Sequence, residues 1–290
     1  MWAGRRMGGA LGALALGIAL GASTGQAYPG GTPDFQTDVA PYCAACHAST
    51  AESDLAGVGD PRARAELAVN KHLAAIRTGV GPYAELSEPD RARLVELLTA
   101  VDRNSTIALE FPAQVAPGET FQVTVKVTGG AGPAVGVALV DRAHRFFARP
   151  ASALGFEVVG APTVIGPKGP QTDWIARRPE REGRGITFVN VEGVQSNAEE
   201  DRWARAKIVF TLKAPEKEGS YPLVGAFFYG TEKSTALGTR VHPEFGPLPL
   251  GGAYGKSGRV KFSEESMISV KPPETAPAAA EPHPGAPGLP

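Results

Sequence analysis

The chain of 290 residues is long enough for one large domain or two modest ones. Hydrophobic residues make up 42% of it and charged residues 20%, which excludes a chain that is disordered throughout. The formal net charge of -1 provides no overall basic field, so a nucleic-acid-binding protein is not expected. The 36 glycines and 26 prolines form a turn-rich composition, which is more typical of β-sandwiches than of helical bundles.

Residues 1–27 have the pattern of a secretory signal peptide. Arg5 and Arg6 form a positive n-region, an apolar stretch follows from Ala10 to Ala22, and small residues precede the predicted cleavage at the end of this segment. The apolar stretch is shorter than the ~20 residues that a membrane-spanning helix needs, which argues against a membrane anchor. We therefore expect a bacterial protein exported by a Sec-type route, periplasmic or extracellular, with no membrane span in the mature chain.

Between residues 28 and 104 the apolar side chains recur with helical spacing. Asp60 followed by proline predicts the start of a helix that runs to Arg77 and is closed by Gly79. Ser87 is the predicted N-cap of the next helix. The apolar stripe of that helix consists of Leu94, Leu97, Leu98 and Val101.

After Thr106 the apolar residues recur with a period of two. From Thr120 to Val127, apolar and polar side chains alternate at every position. Further strand candidates are Ile107–Phe111, Val135–Asp141, Gly155–Val159, Ile186–Val191, Ala204–Leu212, Tyr221–Tyr229 and Arg259–Val270. Short strands separated by glycine and proline turns predict an antiparallel β-sandwich over 105–271. The Pro/Ala-rich residues 272–290 are expected to form a disordered tail.

The two cysteines of the chain, Cys43 and Cys46, stand in a C-x-x-C-H motif that ends at His47. Two thiols at this spacing can each add to one haem vinyl group, and the adjacent histidine then becomes an axial ligand of the iron. A thioredoxin-like pair would need a surrounding βαβ pattern, and a zinc site would need a second pair of ligands. A structural disulfide across two residues would be strained. We therefore predict one covalent haem c.

The sequence around this motif, from Tyr28 to about Asp102, resembles a class I cytochrome c domain. The resemblance is carried by residues 38–42, 43–47, 76–83 and 86–101. It implies an all-α haem domain over 28–104 and electron transfer, so the predicted fold class is α + β multidomain, with this domain preceding the sandwich. In the family a methionine before the last helix is the second axial ligand, but here Gly81-Pro82 stands where Met-Pro is expected. The methionines are at positions 1, 7 and 267.

His72 is the candidate second axial ligand. On a helix it shares an apolar face with Ala68, Val69, Ala75 and Ile76. Bis-histidine ligation would lower the reduction potential relative to ligation by methionine. Two alternatives stay open. His72 is a core or boundary histidine with a protein partner, or the sixth position is open, with Tyr83 and His72 as distal groups for a bound gas or peroxide.

The β-region carries few groups with evident chemistry, and no catalytic residue is predicted there. His144 and His242, with Glu244, would need a third spaced ligand to bind a metal, so we expect surface or turn histidines. Trp174 and Trp203 are expected to pack in the core or at its rim. The region loosely resembles exported Ig-like modules of the reelin or anchor-associated type, through residues 117–120, 203, 213–215, 219–221 and 228–230. The resemblance implies a docking or presentation role.

Three functions are consistent with these patterns. The first is one-electron transfer by an exported monohaem c-type cytochrome, with the sandwich as a docking or assembly module for a redox protein, a cell-surface component or a second copy. The second is a haem-based ligand sensor or small peroxidase with an open sixth position. The third is a surface adhesion or assembly protein whose haem is structural. An electron carrier, rather than an enzyme, is the prediction.

Overall fold

The computed structural model describes residues 68–143, 148–172, 187–232, 236–250 and 258–273. Several predictions lie outside these residues. They are the signal peptide, the haem motif (Cys43, Cys46 and His47), the helix start at Asp60, His144, Trp174 and all but the first residues of the tail.

Two α-helices open the described part of the chain. Helix α1 is Ala68–Thr78 and helix α2 is Glu88–Asn104, with a 3-10 turn at Gly81–Tyr83 between them. Gly79 follows α1 with a φ of 69°, a left-handed conformation that glycine adopts without strain. The Ser87 side chain accepts a hydrogen bond from the backbone N–H of residue 90 and so caps α2, as predicted. The predicted apolar stripe of α2 is buried.

Fourteen β-strands follow in the described residues. They are β1 Thr106–Glu110, β2 Gln114–Val115, β3 Thr120–Thr128, β4 Ala131–Val140, β5 Glu157–Val158, β6 Thr163–Gly166, β7 Gly169–Gln171, β8 Phe188–Glu192, β9 Arg205–Lys213, β10 Gly219–Gly230, β11 Thr239–His242, β12 Gly246–Pro249, β13 Gly258–Phe262 and β14 Ser266–Val270. A short 3-10 helix at Ala151–Leu154 precedes β5.

The strands form two six-stranded sheets and one hairpin. The first sheet has the order β1-β3-β9-β6-β7, with β5 also paired to β9. The second has the order β2-β14-β10-β4-β8, with β13 also paired to β10, and β11 and β12 pair separately. The pairs are antiparallel except β2 with β14. Strand β10 is the longest because β14 pairs with its first half and β13 with its second half.

Strand β10 is buried on both faces in its second half. Phe227 and Tyr229 belong to the main core cluster, which also contains the buried residues of β3, β9 and both helices. Ala226 and Phe228 point to the opposite face and pack in a second cluster with Phe188 and residues of β4 and β13. The sheet therefore has core on both sides, and the helices cover the same face as the first sheet.

The predicted fold class is wrong. The described residues are mainly β-sheet, with 19% helical residues in two α-helices and short 3-10 segments, and they contain no all-α domain. The helical periodicity correctly predicted amphipathic helices, but it does not specify what their apolar stripes pack against. Leu94, Leu98 and Val101 lie in the same buried cluster as Val137 and other strand residues, so the helices complete the core of the sheets. In the described ranges no helix is both long and apolar enough to cross a membrane.

Candidate functional site: a buried polar chain between the helices and the sheet

His72 lies in α1, and its side chain faces the sheet with 11% of its surface exposed. Its Nε2 is 2.9 Å from Glu232 Oε1 and 2.7 Å from the Tyr83 hydroxyl oxygen. Its Nδ1 is 3.1 Å from Nη2 of Arg259. Both ring nitrogens therefore have protein partners.

The chemistry of these partners assigns the proton on the ring. A guanidinium group only donates hydrogen bonds, so Nδ1 of His72 accepts one from Arg259. In a neutral imidazole the other nitrogen then carries the proton, and Nε2–H donates to the carboxylate of Glu232. The geometry therefore places a proton on Nε2, between the imidazole and the Glu232 carboxylate.

Glu232 follows the end of β10 and its side chain has no exposed surface. The Tyr83 hydroxyl donates to Oε1 over 2.6 Å, beside the bond from His72. Burial alone would raise the pKa of Glu232, but the hydrogen bonds and the charge environment outweigh it and lower that pKa to about 2. Burial, together with the neighbouring carboxylate, raises the pKa of the Tyr83 phenol, which keeps it a hydrogen-bond donor. The Thr231 side chain also favours the charged form of this carboxylate through a hydrogen bond.

Arg259 of β13 connects His72 to the end of helix α2. Its side chain is 1% exposed, and its Nε lies 3.2 Å from Oδ2 of Asp102. The Tyr229 hydroxyl donates to Oδ1 of the same aspartate over 3.0 Å. Nζ of Lys261 donates to the backbone carbonyl of Asp102 over 2.9 Å. Two cations thus lie at the C-terminal end of α2, where they interact favourably with the helix dipole.

These contacts form one continuous hydrogen-bonded chain, which we call the buried polar chain. Its members, in order, are Asp102, Arg259, His72, Glu232 and Tyr83. Removing one partner of a buried charged pair costs about 3–5 kcal/mol, because the other charge is left without compensation. The buried polar chain therefore fixes the positions of α1 and α2 relative to β10 and β13. In the described ranges no three His, Cys, Asp or Glu side chains form a potential metal site.

The other predicted groups of the β-region lie apart from this chain. His242 is the last residue of β11, where it pairs with Gly246 beside the hairpin turn. Its Nδ1 accepts from the backbone N–H of Glu244, and its ring lies 4.8 Å from that of Phe245. Trp203 packs against the main core and its Nε1–H donates to Asp201, which confirms the packing role predicted for it.

Sequence reasoning missed Glu232, Arg259 and Asp102. A usable signal exists for the first two, since each places a charge within or beside a largely apolar strand. Glu232 comes two residues after β10, and Arg259 lies within β13. A charge in such a position needs a buried partner, and His72 on an apolar helix face is one. Nothing local in the sequence indicates that these residues meet, because the chain separates His72 from them by 160 and 187 positions.

The residue types only partly fit the predicted haem. Two thiols and an imidazole, in Cys43, Cys46 and His47, are the donor set that a covalent haem c requires. His72 does not fit as it is arranged, since neither ring nitrogen is left with a free lone pair. Its role as second ligand stays a prediction, and it would require the histidine to leave Glu232 or Arg259.

Comparison with known proteins gives no family for this chain. No protein-family model matches it, and no curated protein matches it. Among solved structures it is similar to CfaE, the adhesive subunit of the CFA/I fimbria of enterotoxigenic Escherichia coli. That similarity covers 58% of this chain and 49% of the adhesin, about half its length, at 9% identity and a TM-score of 0.23. At that score it supports no statement about fold or function.

Proposed function

We propose that the protein is an exported electron carrier with one covalently attached haem c. The observation that supports this proposal is the C-x-x-C-H motif, which holds both cysteines of the chain and follows a predicted signal peptide. Cys43 and Cys46 tether the haem and His47 is an axial ligand of its iron. When bound, the haem supplies a ferrous–ferric couple that exchanges one electron with a redox protein or a cell-surface component.

The described part of the chain has a structural role in this proposal. The helices come next in sequence after the haem-binding motif, and the buried polar chain fixes them to the sheets. Because the anchoring groups are buried and paired, this attachment is rigid. The β-region then serves as the docking or assembly module that positions the haem-bearing segment.

The test is covalent attachment itself. The full chain is produced in a bacterial periplasm together with the machinery that attaches c-type haem. After denaturation and acid–acetone extraction, we expect the mature wild-type protein to retain one haem by intact mass and by haem-stained gel. Cys43→Ser with Cys46→Ser should retain none. Wild-type protein that loses all of its haem on extraction would contradict the proposal.

A second candidate function is supported by the surroundings of His72. Both of its ring nitrogens are hydrogen-bonded, and no methionine lies between residues 28 and 104. These two facts favour a haem protein that binds a gas or a peroxide at an open sixth position. Carbon monoxide added to the ferrous protein separates the candidates. An unchanged spectrum supports the electron carrier, and a shifted Soret band supports the ligand-binding protein.

A further inference from the structure

We infer that Glu232 and Arg259 hold His72 away from the haem iron, so that this histidine does not provide the sixth ligand. The inference rests on the proposed function, whose haem it describes, and adds to it two positioning residues. It assigns His72 to the attachment of the helices to the sheet, and Glu232 and Arg259 to holding the imidazole there.

Coordination through Nε2 is opposed by Glu232. A nitrogen binds iron with a lone pair, whereas this nitrogen carries the proton that is donated to the carboxylate. Turning the ring toward iron would remove the hydrogen bond that the Glu232 carboxylate accepts from His72. A fully buried carboxylate that loses a donor is strongly destabilised.

Coordination through Nδ1 is opposed by Arg259. Its lone pair accepts a hydrogen bond from Nη2 of the guanidinium, which would have to move aside to admit a metal. The guanidinium side chain is 1% exposed, and its Nε is paired with Asp102 at the end of α2. Movement of this cation would therefore break a second buried pair and loosen the helix end.

Two partners from the β-region position His72. Glu232 extends from β10 and Arg259 belongs to β13, and the two strands are paired along five residues from Ala226↔Phe262 to Gly230↔Gly258. Both partners of the histidine are thus held by one rigid sheet. If His72 coordinated the iron, its hydrogen bonds to Glu232 and Arg259 would have to break.

The decisive comparison uses the haem-loaded full chain and two matched substitutions. His72→Gln removes the imidazole from the buried polar chain, and His242→Gln makes the same change in the half-exposed β11–β12 hairpin. We expect His72→Gln to lower the melting temperature by about 10 °C, because it disrupts a buried charged network. The ferric spin state and the carbon monoxide response should stay those of wild type. The control should change neither quantity.

The opposite spectroscopic result would overturn the inference. If wild-type haem is low-spin and silent to carbon monoxide, while His72→Gln is high-spin and binds the gas, then His72 is the ligand. Should the glutamine variant fail to fold, His72→Asn provides the same comparison, since it also removes the imidazole and places a smaller amide in the site. A loss of several degrees in melting temperature with an unchanged haem spectrum supports the inference, and a changed spin state contradicts it.

A double-mutant cycle separates this inference from the haem assignment. Glu232→Gln and His72→Gln are combined, and melting temperatures are measured whether or not haem is attached. If the two residues interact as described, the double variant should lose clearly less than the sum of the two single losses. Additive losses would contradict the inference. A protein without covalent haem but with a strong coupling would contradict the proposed function alone.

Discussion

Glu232 is the residue whose ionisation matters most for the stability of the fold. Its carboxylate is fully buried and accepts hydrogen bonds from His72 and Tyr83. Its pKa falls from 4.5 to about 2 in the folded chain. A carboxylate whose pKa is lowered by folding stabilises the native state above its ordinary pKa, and this contribution disappears as the pH falls through the folded value.

Acid should therefore destabilise the wild-type protein between about pH 4.5 and pH 2. The loss attributable to Glu232 is on the order of 3 kcal/mol. In Glu232→Gln the neutral amide cannot titrate, so the variant should be less stable at pH 7 and its stability should fall less over this range. The check is urea unfolding at several pH values. The control is Glu264→Gln, at an exposed position, and its stability should follow that of wild type at each pH. If the unfolding free energies of wild type and Glu232→Gln fall equally with pH, Glu232 is not the group responsible.

Helix α2 depends on a single side-chain cap at its start. The Ser87 hydroxyl accepts from the backbone N–H of Asp90, one of the groups that the helix leaves without an internal partner. Ser87→Ala should lower the free energy of unfolding by about 1 kcal/mol, while Ser87→Asp should retain most of it. Urea unfolding monitored by circular dichroism measures both. An aspartate variant as unstable as the alanine variant would show that the cap is not responsible.

The two sheets are connected at one edge by a side-chain amide. Gln171 in β7 donates from Nε2 to the carbonyl of Glu192 and accepts from its N–H, so it pairs with edge strand β8 as a backbone group would. Gly166 makes room for this amide, because a Cβ at that position would collide with Nε2 of Gln171.

Gly166→Ala should therefore break the connection and cost about 1–3 kcal/mol. Gln171→Ala removes the same bonds without the collision and should cost about 1–2 kcal/mol. Because both changes remove one interaction, the double variant should be no less stable than Gly166→Ala. The check is chemical denaturation of the three variants. Fully additive losses would mean that the glycine is needed for some other reason.

At the scale of the whole molecule, the helices and the sheets share one core. The buried side chains of α1 and α2 belong to the same cluster as those of both sheets, and the buried polar chain joins the layers. Such a core is expected to unfold as a unit.

A fragment of residues 28–104 should therefore lack stable helical structure, although its sequence resembles a self-contained haem domain. Circular dichroism of the fragment should show far less helix than its sequence pattern predicts. In the full chain, near-ultraviolet and far-ultraviolet signals should change in a single transition. A fragment that is helical and melts cooperatively would show that this segment folds alone.

Local sequence pattern predicted the long elements well. Strand β3 was predicted at Thr120–Val127 and is Thr120–Thr128, and α2 begins after its predicted cap. The pattern joined β13 and β14 into one strand and missed the short strands β2, β6, β7, β11 and β12. These strands are two to four residues long, too short for a period of two to be distinguished from a turn.

The sequence by itself determined the local features of this protein: the thiols and imidazole of the C-x-x-C-H motif, two amphipathic helices and the alternating faces of the long strands. Each of these depends on residues that are close together in the chain. Tertiary structure alone decided that the helices pack on the sheets and that His72 contacts Glu232 and Arg259. Those contacts depend on the register of β10 with β13 and on how α1 packs against these two strands. A histidine on an apolar helix face serves equally as an iron ligand or as a buried hydrogen-bonding group, and only the charges placed opposite it decide between the two.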